Sequence, residues 1–171
     1  MSRTLQWIHK VLLNRAYLDG TRYYQTAFYF FLSRLLASSE DRELHAFLKP
    51  LRERMQNRIG VEGNSIALAM RILVCDFVGL RDEIDLRSLH PFQCEDDGWE
   101  IGWIYKYGSS GLRIGNRGLT TALAFNALKA MSQPCKATSE HLKTAASSNS
   151  PNHRSSLFST DRLVAIPSRI H

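Results

Sequence analysis

Apolar residues recur at helical spacing through most of this chain. From about Thr4 to Tyr17, Leu5, Ile8 and Leu12 share one face with Trp7 and Val11 beside them, a spacing that predicts an amphipathic helix. Asp19-Gly20 ends it with a turn. From about Tyr23 to Ala37 a second helix carries Phe28, Phe31, Leu32, Leu35 and Leu36 on one side. Ser38-Ser39-Glu40-Asp41 opens a third, with Ser39 or Ser38 as N-cap and acids in the first turn. Leu44, Phe47, Leu48 and Leu51 form its stripe, and Pro50 kinks it or divides it in two. Asn64 caps a fourth helix, Ser65 to Val78, with Gly79 after it. That helix is apolar nearly all round (Ile66, Ala67, Leu68, Ala69, Met70, Ile72, Leu73, Val74, Phe77), which predicts burial on most sides. Asp82 or Asp85 opens a shorter fifth helix through Leu86, Leu89 and Phe92. A loop is expected after Gln93, with turn centres at Asp97-Gly98 and Gly108 to Gly111, before a sixth helix from about Leu119 to Met131. Residues 132–171 hold nine Ser and three Pro without a sustained period, which predicts a disordered tail behind a helical domain at 1–131. The fold class is all-α, built from antiparallel helical hairpins.

The chain also repeats itself. At an offset of 55 residues Arg58-Ile59-Gly60 falls on Arg113-Ile114-Gly115, Gly63 on Gly118, Ala67-Leu68-Ala69 on Ala122-Leu123-Ala124, and Leu73 on Leu128. Eight of the sixteen positions from Arg58 to Leu73 are identical. Each copy, 58–73 and 113–128, is a Gly-marked turn leading into an Ala/Leu-rich helix, a unit that suits a helical array whose neighbours bury each other's apolar faces.

Composition narrows the picture. The net charge of +6 is spread evenly, +3 on residues 1–131 and +3 on 132–171. No basic face is concentrated enough for nucleic acid. Arg52, Arg54 and Arg58 are a solvated face, with phosphate binding the weaker alternative. Cys75, Cys94 and Cys135 lie far apart, and an odd count fits a reducing, cytoplasmic compartment better than a disulfide scaffold. The richest apolar run, Ala27 to Ala37, is broken by Ser33 and Arg34, too short to span a bilayer.

Within Leu86 to Leu128 a family signature emerges. Leu86, Leu89, Gln93 and Asp96-Asp97-Gly98-Trp99, followed by the Ala/Leu-rich stretch Leu119 to Leu128, resemble the repeat of the terpenoid cyclase and protein prenyltransferase superfamily. Gln93, Gly98 and Trp99 are similar to the QW motif of squalene-cyclase-like proteins, in which the Gln and Trp tie neighbouring helices together. The run from Gln93 to Ala124 resembles uncharacterised fungal relatives of these cyclases. The resemblance implies an α/α toroid. A whole toroid needs more helices than are legible here, so the chain is expected to be a fragment, a truncated product or a partial helical stack.

The chemistry that the resemblance implies was tested against the residues. Class II cyclases protonate an alkene from a DxDD motif. Cys94-Glu95-Asp96-Asp97 comes nearest, with Cys where the first Asp belongs, so Asp96 and Asp97 are the candidate acids. Class I cyclases hold Mg²⁺-diphosphate on a DDxxD or DDxxE. Asp96 to Glu100 fits the letters, but Gly98-Trp99 argues for a turn, and Mg²⁺ enters only with a diphosphate substrate. Asp76, Cys75 and His90 lack the zinc-site spacing of the prenyltransferases, so no metal site is assigned. At 114–118 (IGNRG), glycines needed for positive φ are favoured over an anion cradle. The aromatic second helix is either a core helix or part of an apolar pocket formed by Tyr24, Phe28 and Phe31. Two functions follow. One is a terpenoid-cyclase-like protein that binds an isoprenoid without an intact catalytic motif. The other is a non-catalytic helical scaffold for a protein partner or for self-association through its open end.

Overall fold

The computed structural model describes residues 3–16, 22–107 and 110–133. Six α-helices make up most of it: α1 Arg3–Leu13, α2 Arg22–Ser38, α3 Leu48–Gln56, α4 Ser65–Phe77, α5 Glu83–Leu89 and α6 Arg117–Ser132. The helical periods predict each of them to within a few residues. The third helix differs at its start. A 3₁₀ segment, Arg42–Phe47, comes first, and Asp41 caps it by accepting from Glu43 N at 2.8 Å, so the cap is neither Ser39 nor Ser38. Pro50 sits in the first turn of α3, where a missing N–H leaves no intrahelical bond unmade. Asn64 caps α4 by accepting from Ala67 N at 2.9 Å, and Gly79 follows with φ +72°.

The connection between α5 and α6 departs from the expected loop. Trp103–Tyr107 (β1) and Leu112–Gly115 (β2) pair as an antiparallel hairpin, Tyr107 opposite Leu112. The strand signal is present in the sequence: the β-branched and aromatic Trp103, Ile104, Tyr105 and Tyr107 end at a Gly-Ser-Ser-Gly turn.

Two apolar clusters share α4. The first gathers Leu12, Tyr29, Leu32, Leu44, Phe47, Leu51 and Met55 around Val74 and Cys75. The second gathers Leu89, Trp99, Leu123, Ala124 and Ala127 around Ile66, Ala69 and Ile72. Because α4 is apolar nearly all round, it can be buried from both sides, and it packs most extensively on α6 and α2. The two repeated segments both enter helices, but their turns differ. Gly60 has φ +78°, whereas Gly115 ends a strand and lacks a positive φ. No described helix is long and apolar enough to cross a membrane. Apart from Ser132, which ends α6, and Gln133 after it, the tail expected from 132 onward lies outside the described residues.

Candidate functional site

The loop after the 3₁₀ turn His90–Phe92 closes tightly. Gln93 and Trp99 pair as an antiparallel bridge. Cys94 N donates to Gly98 O at 2.7 Å, and Asp97 N donates to Cys94 O at 3.1 Å. Asp97 itself takes φ +62°, a left-handed turn position that Asp tolerates. Trp99 is buried and joins two helices. Its indole Nε1 donates to Leu89 O at the end of α5 (3.3 Å), and its backbone N donates to Thr121 Oγ1 on α6 (3.1 Å). Gln93 is exposed, and its part in this arrangement is the backbone bridge to Trp99. Of the QW-like residues, Trp99 makes the tie between helices.

Arg117, the first residue of α6, donates Nε to Trp99 O at 3.3 Å and pairs through NH2 with Asp96. Gly98 leaves room for that guanidinium, since a Cβ there would meet Arg117 NH2 at 2.7 Å. Asp96 also accepts from Gly98 N at 3.2 Å. The Arg117 hydrogen bond, helped by Gly98 N–H, holds the Asp96 carboxyl below its ordinary range. Asp96 and Asp97 are both exposed. An alkene-protonating acid needs burial and a raised pKa, whereas this carboxylate is ion-paired in solvent.

The hairpin base is stitched to both flanking helices. Ser65 Oγ donates to Glu100 O at 3.0 Å, Asn64 Nδ2 to Trp103 O at 3.1 Å, and Gly102 N to Thr120 Oγ1 at 2.9 Å. Gly102 lies so close to α4 that a Cβ would meet Ile66 Cβ at 2.5 Å. At IGNRG, Asn116 caps α6 by accepting from Leu119 N at 2.8 Å. Neither Gly115 nor Gly118 takes a positive φ. Gly115 is needed instead for its close approach to Gly102 and Ile101, which corrects the expectation of left-handed glycines there.

Between this turn and α6 lies an open groove of about 530 Å³. Its lining is mostly apolar, from Trp99, Ala122 and Phe125, with Arg117 and Asp97 as its charged groups and Thr121 between. Phe28 packs against the first apolar cluster, Phe31 is 65% exposed, and the side chain of Tyr24 lies outside the described residues.

A second polar cluster is buried and was not singled out by the sequence pattern. Arg71, inside the apolar helix α4, is 1% exposed and forks onto Asp85, Nε to Oδ2 at 2.5 Å and NH2 to Oδ1 at 3.0 Å. It also donates to Val61 O. Asp82 caps α5, accepting from Asp85 N at 3.0 Å, and the Cys75 thiol reaches Asp82 Oδ2 at 3.7 Å. Burial pushes the Cys75 thiol far up, so it stays protonated. The legible signal was Arg71 itself: a lone arginine in an apolar helix must find a carboxylate. Among the described residues no group of three His, Cys, Asp or Glu side chains could hold a metal ion.

No family model matches the chain, and no solved structure does. Over 131 residues, 73% of its length, the chain is 41% identical to the drimenol cyclase drtB of Aspergillus calidoustus. It spans about a quarter (24%) of that protein's length. This similarity makes the chain terpenoid-cyclase-like.

Proposed function

We propose that this chain is an isoprenoid-binding, terpenoid-cyclase-like helical segment that carries no complete catalytic motif of its own. The groove beside α6 is the observation that carries the reading. Ala122 and Phe125 offer a hydrocarbon surface above the buried Trp99, and Arg117 offers a guanidinium to an anionic end such as a diphosphate. Mg²⁺ would enter only as the partner of that diphosphate. Asp96 serves Arg117 in this reading: paired and ionised in solvent, it orients the arginine and is poorly suited to donate a proton. The similarity to a drimenol cyclase favours an isoprenoid over other apolar ligands.

The test is a titration of the chain with farnesyl diphosphate, followed by tryptophan fluorescence. Saturable quenching is expected, weakened about tenfold or more by Phe125→Ser and by Arg117→Gln. No saturable change in the wild-type chain would overturn the reading. Product formation that is lost in Asp96→Asn or Asp97→Asn would restore a catalytic role to those acids.

One observation favours a second reading, a non-catalytic scaffold. Large apolar side chains stand exposed on two helices, Phe31 and Leu35 on α2 and Leu119 and Phe125 on α6. Such a surface suits a protein partner or a second copy. Under this reading sedimentation velocity would show association that farnesyl diphosphate leaves unchanged.

A further inference from the structure

The junction of α4, α5 and the turn at 58–63 holds two buried carboxylates and one guanidinium. Asp82 and Asp85 are both fully buried, and Arg71 is 1% exposed. Both Asp85 oxygens are committed to Arg71, and Oδ1 also accepts from Gly60 N at 3.1 Å. Among the described residues Asp82 has no cation of its own. Its Oδ1 accepts from Asp85 N, its Oδ2 accepts from the weakly polar Cys75 thiol, and the Asp85 carboxylate lies within hydrogen-bonding reach of it. Several charges on the surrounding elements are engaged elsewhere or lie in water. Arg81, next in sequence, reaches the carbonyls of Met131 and Gln133 at the end of α6. Glu83 on α5, Glu62 in the turn and Lys129 on α6 are exposed, and Arg117 is held at Asp96. Two ionised carboxylates would therefore leave an uncompensated negative charge in a dry site, which is costly.

We infer that Arg71, Cys75, Asp82 and Asp85 form a proton-keyed lock, closed when the Asp82 carboxyl carries a proton and loosened when that proton leaves. The lock governs α5. Seven residues are too few for a self-supporting helix, so α5 depends on its two ends. At one end is the Asp82 cap with the Asp85–Arg71 pair. At the other, Leu89 is buried and its carbonyl accepts the Trp99 indole. Loosening the first end reaches Trp99 through this short helix. The inference does not rest on isoprenoid binding.

Removal from water, reinforced by the neighbouring Asp85, raises the Asp82 carboxyl from the ordinary 3.8 to about 6. The folded state then holds the proton more tightly than the unfolded chain does. The resulting stabilisation is full below about pH 4 and is lost as pH climbs through 6. Asp96 works in the opposite direction, since its lowered carboxyl loses stabilisation only as pH falls below the ordinary carboxylate range, outside this window.

The experiment compares thermal melts of the full wild-type chain and Asp82→Asn at pH 5, 6, 7 and 8. Asn keeps the cap and mimics the protonated acid. Relative to the variant, the wild type should lose about tenfold in its folding constant between pH 5 and pH 8. Parallel pH profiles would overturn the lock. If the variant does not fold, infrared spectra of the wild type serve in its place. A protonated carboxylic C=O band present at pH 5.5 and gone at pH 8 is expected, and its absence at pH 5.5 also overturns the lock.

Discussion

At the scale of single residues, this chain depends on close approach as much as on apolar burial. Gly102 is the clearest case. The base of the hairpin lies directly on the first turn of α4, and a Cβ would overlap Ile66. Gly102→Ala should therefore destabilise the fold by about 1–3 kcal/mol, as overpacking does. Urea unfolding would measure it, and a loss below about 0.5 kcal/mol would mean the hairpin can lift away from α4. Gly98 answers a different need, leaving space for Arg117 to reach both Asp96 and the Trp99 carbonyl. Neither demand can be read from an isolated Gly in a sequence. Arg71 was equally hidden. In the pattern it is a single polar break in an apolar run, whereas the fold makes it the counter-ion of a buried acid.

At the scale of elements, two asparagines cap α4 and α6, the two helices that pack most extensively on one another, and they do unequal work. Asn116 makes one cap bond, to Leu119 N. Asn64 makes the equivalent bond to Ala67 N and also donates from its amide to Trp103 O in the hairpin. Asn116→Ala should cost about 1 kcal/mol, as a lost N-cap does. Asn64→Ala should cost roughly 1 kcal/mol more, because a cross-element hydrogen bond goes with the cap. Equal losses in chemical unfolding would mean that the hairpin contributes nothing to holding α4. The hairpin carries a weaker local signal: its β-branched and aromatic residues are flanked by glycines that favour turns. What fixes the strands is their pairing and their seat against Ser65, Ile66 and Thr120.

At the scale of the whole molecule, α4 decides the cooperativity. Val74 and Cys75 belong to one apolar cluster, and Ile72 and Met70 on the same helix belong to the other. Neither cluster can lose α4 without exposing the other. Far-ultraviolet helix signal and the near-ultraviolet tryptophan signal should therefore melt together in a single transition. Separate transitions would show that the α1–α3 and α5–α6 sides unfold independently. The groove sits on the α6 side, bounded by the turn that α5 positions, so ligand at the groove should raise that same single transition.

The sequence by itself determined the helices, the cap at Asn64, a choice of Asp82 or Asp85 for α5, and the terpenoid-cyclase-like character of the chain. These are local matters: helical period, side-chain capping within three residues, and a contiguous motif. Only the tertiary structure decided which charges are partners and which are solvated. Arg71 and Asp85 lie 14 positions apart, and Asp96 and Arg117 lie 21 apart. Their pairing depends on how α4, α5 and α6 pack. The same is true of the groove, whose lining comes from a turn and a helix that the Trp99 and Arg117 contacts bring together. A pattern along one chain reports what each segment can do alone. Long-range contacts are set by the shapes that segments present once packed, and here those shapes place the charges.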